Sequence, residues 1–139
     1  MNNDYNIITY SNILSAENYC LLRKSVEFHD IPLSHAKTAL VRSDFIVAAY
    51  DENKPVGMAR LMTDGTQTYV MDVVVLPNYQ DKGIGRGLME RIIEFIKSIE
   101  YDTMLVNLLT NSDKTGFYEK FGFVETVGMH LWLEKGGEY

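Results

Sequence analysis

Two glycines, Gly83 and Gly85, stand between an apolar β-branched segment and a segment with helical periodicity. A strand, a glycine-rich loop and a helix in this order present free backbone N–H groups and the positive end of a helix to an anion. Glycine has no Cβ, so the backbone can approach a phosphate closely. Lys82 and Arg86 add positive charge to the same loop. The pattern therefore predicts an anion-binding loop over residues 81–86.

The two commonest phosphate-binding motifs do not fit this loop. The chain has no G-x-x-x-x-G-K-[ST] segment, which argues against a P-loop. The dinucleotide-binding pattern G-x-G-x-x-G also fails, because Leu88 stands at the position of its third glycine. What remains is the pattern Gln80-x-x-Gly83-x-Gly85, which begins three residues after Pro77.

This pattern resembles the acetyl-CoA signature of the GCN5-related N-acetyltransferase (GNAT) family. Residues 116–123, Gly-Phe-Tyr-Glu-Lys-Phe-Gly-Phe, are similar to the second motif of that family. The resemblance implies a small single-domain member of bacterial type that uses acetyl-CoA as acyl donor and needs no metal. It also implies the cofactor-binding residues, which are Val73, Val74, Val75, Gln80, Asp81, Lys82, Gly83, Ile84, Gly85, Arg86, Asn111 and Tyr118.

The resemblance further implies the residues that carry catalysis. Tyr118 occupies the position of a tyrosine general acid, which would protonate the departing thiolate. The general base is less defined, since the predicted strand at 104–109 holds only Asn107 as a polar interior residue. Asp72 is the nearest acidic candidate, and its orientation depends on strand register, because a slip of one residue reverses the side chain. A route through water without a dedicated base stays open.

Length and composition limit the other possibilities. A chain of 139 residues with 46% hydrophobic content predicts one folded domain, residues 1–139. A net charge of −6 argues against nucleic-acid binding and is compatible with a cationic amine substrate. No apolar run is long enough for a membrane span, no signal peptide is visible, and a single cysteine suits a reducing compartment. We therefore expect a cytoplasmic protein that binds neither membrane nor nucleic acid.

The elements that must position the loop follow from periodicity and turn residues. The longest amphipathic helix is predicted over 84–99, and the other predicted helices cover 15–28, 33–42 and about 113–120. Strands are predicted at 6–10, 45–50, 56–62, 67–76 and 104–109, with a last hairpin within 123–133. Gly57 is expected at a bulge or a close backbone approach, and the dipeptide Asp64-Gly65 is expected at a turn. The fold class is α+β, and the resemblance implies a central mixed, splayed sheet of six to seven strands with about four helices.

The predicted function is acetyl transfer from acetyl-CoA to a primary amine, by direct attack in a ternary complex, with a small molecule as the expected acceptor. Two alternatives stay open. One is acetylation of a protein α-amine or lysine, and the other is a coenzyme A-binding sensor without catalysis. A monomer and a homodimer are both compatible with the sequence.

Overall fold

The computed structural model describes residues 7–135. By its internal contacts the chain divides into two compact units, Met1–Leu108 and Leu109–Tyr139. The expectation of one domain stays a prediction. The first unit contains the strands β1 (Ile8–Ser11), β2 (Phe45–Asp51), β3 (Lys54–Thr63), β4 (Gln67–Val75) and β5 (Leu105–Asn107), and the helices α1 (Ala16–Ser25), α2 (Leu33–Arg42) and α3 (Ile84–Ser98). The second unit contains the helix α4 (Thr115–Glu119).

The five strands form one sheet in the order β1-β2-β3-β4-β5. The first three pairings are antiparallel, and β4 pairs with β5 in parallel through the crossover helix α3. This confirms the predicted α+β class with a mixed sheet, and residues 7–135 contain four α-helices where about four were expected. The expected strand count of six to seven is wrong for residues 7–135, which contain five strands.

The predicted hairpin within residues 123–133 accounts for the difference. Residues 123–134 form no regular secondary structure. Their large apolar side chains are exposed, with Val127 90% and Trp132 68% accessible. A strand is stable only where a partner strand completes its ladder, and β-prone composition does not supply that partner.

Both faces of the sheet are covered within the first unit. On one face, Tyr19 and Leu22 of α1 pack with Met58 of β3 and Val74 of β4. On the other face lies α3, whose apolar positions recur at helical spacing and are buried: Ile84, Leu88, Ile92 and Ile96. The two helical layers therefore cover both faces of the sheet at β3 and β4.

Gly57 marks the closest approach between α3 and the sheet. A Cβ at this position would lie 3.0 Å from the carbonyl oxygen of Val74 and 3.1 Å from Cδ1 of Leu88. The close approach expected for Gly57 is therefore confirmed. Gly57 itself pairs with Val75, and the register irregularity of this ladder lies further along, between Met58 and Arg60.

The turn that leads into β4 is fixed by Asp64. Its Oδ1 accepts hydrogen bonds from the backbone N–H groups of Thr66 and Gln67 and from the Thr66 hydroxyl. These donors lower the pKa of Asp64 to about 2, with the bond from Gln67 as the largest cause. The following Gly65 has a φ of 89°, as the predicted Asp-Gly turn requires.

Within the described residues, no helix is long and apolar enough to cross a membrane.

Candidate active site

The loop between β4 and α3 exposes a row of backbone N–H groups. Asp81 and Gly83 adopt left-handed conformations, with φ of 63° and 83°. The first helical hydrogen bond of α3 runs from the N–H of Gly87 to the carbonyl of Gly83, at 3.0 Å. The N–H groups of residues 84–86 therefore lack an intrahelical acceptor, as at every helix start. Such N–H groups at the positive end of a helix dipole favour an anion, and we refer to those of residues 81–86 as the cradle. Anion binding by this loop stays a prediction.

The side chain of Gln80 ties this loop to the end of β4. Its Nε2 donates to the carbonyl oxygen of Val75 at 3.0 Å. This bond gives the last carbonyl group of β4 a hydrogen-bond donor. It uses none of the backbone N–H groups of the loop that follows Gln80. Gln80 thus contributes by positioning the cradle in the present structure.

Tyr79 is a second anchor that the sequence reasoning missed. Its hydroxyl donates to Oδ2 of Asp51 at 2.6 Å, which links the loop to the end of β2. This hydrogen bond is also the main cause that raises the pKa of Tyr79. In the sequence, Tyr79 is only an aromatic residue in a polar loop. Nothing near it in the sequence indicates that its hydroxyl contacts Asp51, which lies 28 positions away.

The two basic side chains of the loop differ in their surroundings. The Lys82 ammonium lies 5.6 Å from the centroid of the Tyr79 ring, within the range of a cation–π interaction. Arg86 lies along the surface of α3, with its Nε 3.5 Å from a carboxylate oxygen of Glu90. Both side chains keep a positive charge beside the cradle, and Glu90 partly offsets that of Arg86.

The last residues of β4, which precede the cradle, have no paired strand on their β5 side among the described residues. The pairing with β5 extends only from Gln67 to Tyr69, and no other strand of the described residues joins that edge further along. The next residue, Leu76, donates its N–H to the carbonyl of Val56 in β3 at 2.9 Å. Because backbone groups alternate along a strand, the N–H of Val75, and that of Val73 two residues earlier, face away from β3. The N–H groups of Val73 and Val75 therefore lie on the side of β4 that has no paired strand among the described residues at this point.

Asp72 lies in this part of β4, but its carboxylate faces α1 and β3. Oδ1 accepts a hydrogen bond from Nη1 of Arg23 and Oδ2 accepts one from Nε of Arg60, each at 2.8 Å. The Tyr19 hydroxyl also donates to Oδ2. With both oxygens bound, Asp72 would have to exchange a donor for the proton of an amine. This arrangement does not favour the predicted role of a general base.

Asn111 and Tyr118 belong to the second unit. The carbonyl of Asn111 accepts a hydrogen bond from the N–H of Lys114 at 2.9 Å and begins a 3₁₀ turn, Ser112–Lys114. Tyr118 lies on α4 with the rings of Phe117 and Phe123 packed edge-on against it. Burial raises the pKa of Tyr118 to about 12. The phenol is therefore protonated at neutral pH, as a general acid must be.

Metal ligands are not clustered in residues 7–135: the structure brings together no group of three or more His, Cys, Asp or Glu side chains that could hold an ion.

Comparison with known proteins finds that this chain is similar to acetyltransferases. Residues 42–125 match the family model of the acetyltransferase (GNAT) domain. The chain is 31% identical over 119 residues to the uncharacterized N-acetyltransferase ycf52 of Porphyra purpurea, a match that covers 82% of this chain and 66% of that protein. The chain thus spans slightly less than two thirds of the length of this curated relative.

Two solved structures have the same fold. A protein of unknown function from meticillin-resistant Staphylococcus aureus superposes with a TM-score of 0.86 at 28% identity, over 91% of this chain and 100% of that one. A GNAT-family acetyltransferase of Streptococcus pneumoniae superposes with a TM-score of 0.74 at 30% identity, over 93% of this chain and 98% of that one.

Proposed function

The chain belongs to the GNAT acetyltransferase family, and from this premise we propose that it is an acetyl-CoA-dependent N-acetyltransferase. The proposed reaction transfers the acetyl group to a primary amine by direct attack in a ternary complex. The observation that carries the proposal is the continuity of two features in the first unit. The open edge of β4 at residues 73–75 leads directly into the N–H cradle at residues 81–86.

The donor is proposed to bind along these two features. Its pyrophosphate would occupy the cradle, where the N–H groups of residues 84–86 and the Lys82 ammonium supply donors and positive charge. Its amide-bearing arm would add to the open edge of β4 like an extra strand. A backbone N–H of Val73 or Val75 would then donate to the thioester carbonyl and stabilise the negative charge that develops there.

The chemical step needs two proton movements. The neutral amine nitrogen attacks the carbonyl carbon, the C–N bond forms, and the C–S bond breaks. The nitrogen loses its proton to water, and the departing thiolate takes one from the Tyr118 hydroxyl. Because the pKa of Tyr118 lies far above neutral pH, its hydroxyl carries a proton when the thiolate forms. Water is preferred as the acceptor of the amine proton because the oxygens of Asp72 are already bound.

A small molecule is proposed as the acceptor, in the cytoplasm. The net charge of −6 would attract a cationic amine. A protein α-amine or lysine is the alternative acceptor, and a panel that contains polyamines, amino sugars and lysine peptides separates the two. Release of coenzyme A thiol with each amine, measured against a reaction without amine, is the test.

A coenzyme A-binding sensor without catalysis is the second candidate. It is favoured by Asp72, because both of its carboxylate oxygens already accept hydrogen bonds and neither is free to act as a base. Tight binding of acetyl-CoA with no thiol release by any amine would support the sensor. Amine-dependent release would exclude it, and absence of acetyl-CoA binding at millimolar concentration would refute both proposals.

A further inference from the structure

The ladder between β3 and β4 contains a bulge at Asp72. Met58 pairs with Val74 and Arg60 pairs with Met71, so Asp72 and Val73 together face the single residue Ala59. Asp72 has a φ of 54°, in the left-handed region. Aspartate tolerates this conformation better than most residues, although it still costs free energy. A bulge bends its strand and turns a side chain in a new direction.

Three side chains hold the Asp72 carboxylate in that new direction. Arg23 and Tyr19 reach it from α1, and Arg60 reaches it from β3. The Asp72 side chain is 8% exposed, and those of the two arginines are 10% and 13% exposed. The two guanidinium groups also lie 5.7 and 5.8 Å from the centroid of the Tyr19 ring. The bulge is therefore fixed by charged hydrogen bonds that water hardly reaches, and such bonds are stronger than neutral ones.

We propose that Asp72 is a positioning residue, which holds the bulge of β4 so that the backbone N–H groups of Val73 and Val75 point at the donor's thioester and amide arm. This inference rests on the proposed function, and it gives Asp72 a role other than that of a base. Asp72 is the residue immediately before Val73, whose N–H is the first of these two donors. A donor that stabilises developing charge must be placed accurately, since a displacement of about 1 Å can lower a rate by about 100-fold.

The substitution Asp72→Asn separates a positioning residue from a base. Asparagine also tolerates a left-handed backbone and keeps one carbonyl oxygen as acceptor, but it removes the negative charge and cannot act as a base. Asp72→Ala removes both the acceptor and the left-handed preference. Positioning predicts a graded loss, with Asp72→Asn closer to wild type than Asp72→Ala. If Asp72 is instead a base, both variants should lose its whole catalytic contribution, and the two losses should be equal.

The matched control is Asp64→Asn, at the other end of the same strand. Asp64 is also a hydrogen-bonded carboxylate, but its donors are Thr66 and Gln67 in the turn before β4. The control therefore loses a hydrogen-bonded charge without disturbing the bulge. Tyr19→Phe is a milder test variant, which removes one of the three donors to Asp72 and keeps the ring.

Three measurements are made on the full chain. Amide NMR spectra without ligand report on residues 71–75, acetyl-CoA titration gives the donor's dissociation constant, and steady-state kinetics give kcat and the donor KM against pH. For Asp72→Asn we expect shifted and broadened amide signals at residues 71–75, about tenfold weaker acetyl-CoA binding, and a pH profile that keeps its acidic limb. Asp64→Asn should show none of these changes.

Two results would overturn the proposal. An unchanged acetyl-CoA affinity with a kcat loss of about 100-fold or more and no acidic limb would make Asp72 the base. Amide signals at residues 71–75 that move no more than in the control, with unchanged affinity, would make it a stabilising residue only. If Asp72→Asn does not fold, the same comparison is decided with Tyr19→Phe. If wild type fails to bind acetyl-CoA, the proposed function falls, while the ligand-free spectra still decide whether Asp72 holds the bulge.

Discussion

The substitution Gly83→Ala tests the cradle because it changes one backbone angle and one methyl group. Gly83 precedes the first residue of α3 with φ 83° and ψ 4°. A Cβ built there meets no atom within 4 Å, so the added methyl group clashes with nothing in the folded chain. The methyl group would instead stand in open space on the loop where the donor's pyrophosphate is proposed to lie.

The loss of stability follows from the backbone alone. A left-handed conformation costs a residue with a Cβ about 1–2 kcal/mol. For a chain of 139 residues, a loss of about 1 kcal/mol lowers the melting temperature by about 3–4 °C. Gly65→Ala is the matched control, since Gly65 has a φ of 89° and equally open surroundings but lies in the turn before β4. Both variants should lose similar stability.

Only Gly83→Ala should also lose affinity for acetyl-CoA. At a ligand concentration of about 100 times the dissociation constant, binding stabilises the native state by about 2.7 kcal/mol. A tenfold loss of affinity removes about 1.4 kcal/mol of this. Thermal unfolding of wild type and of both variants, with and without acetyl-CoA, measures the two effects separately.

Two outcomes would refute this reasoning. Equal acetyl-CoA shifts in Gly83→Ala and Gly65→Ala would show that the loop is not the cradle. Unchanged melting temperatures of both variants without ligand would show that the left-handed backbone is not costly here. Gly83→Asn serves as a further check, because asparagine adopts this conformation more readily and should recover part of the lost stability.

Three further predictions concern other parts of the chain. Tyr118→Phe should lower kcat by about 10²- to 10⁴-fold with little change in the donor's dissociation constant. The loss of kcat should be equal at pH 7 and pH 9, because the pKa of Tyr118 is raised to about 12. A loss confined to one of these pH values would contradict this. Gly57→Ala should destabilise the fold by about 1–3 kcal/mol in urea unfolding, because its Cβ would lie 3.0 Å from the Val74 carbonyl oxygen; unchanged stability would show that α3 can move away. The lowered pKa of Asp64, about 2 against an ordinary 3.8, means that its contribution to stability is complete above the ordinary value and disappears as the pH falls through about 2. Asp64→Asn should therefore lose less stability than wild type between pH 5 and pH 2, and equal losses would argue against this assignment.

The sequence predicted those parts of the fold that depend on local chemistry. Helix α3 could be predicted from its apolar spacing, and the loop before it from Gly83 and Gly85. The turn at Asp64 and Gly65 was predicted from two residues that stabilise it by their own hydrogen bonds and backbone freedom. In each case, the residues that determine the structure are neighbours in sequence.

The prediction of a final hairpin was wrong for a related reason. Residues 123–133 have strand-forming composition, but a strand depends on the ladder with a second segment. Composition therefore indicated a preference that the chain does not realise in residues 123–134. The strand β5 likewise pairs over three residues, fewer than its apolar sequence predicted.

The sequence by itself determined most of the elements between residues 7 and 108, the glycine loop before α3 and the family resemblance, because these depend on residue type and short spacing. Only the tertiary structure decided where the Asp72 side chain points. Its direction depends on a bulge opposite Ala59 and on donors from Tyr19, Arg23 and Arg60, which lie between 12 and 53 positions away in the chain. Such partners meet only when α1 packs on the sheet, so no local pattern could have assigned them.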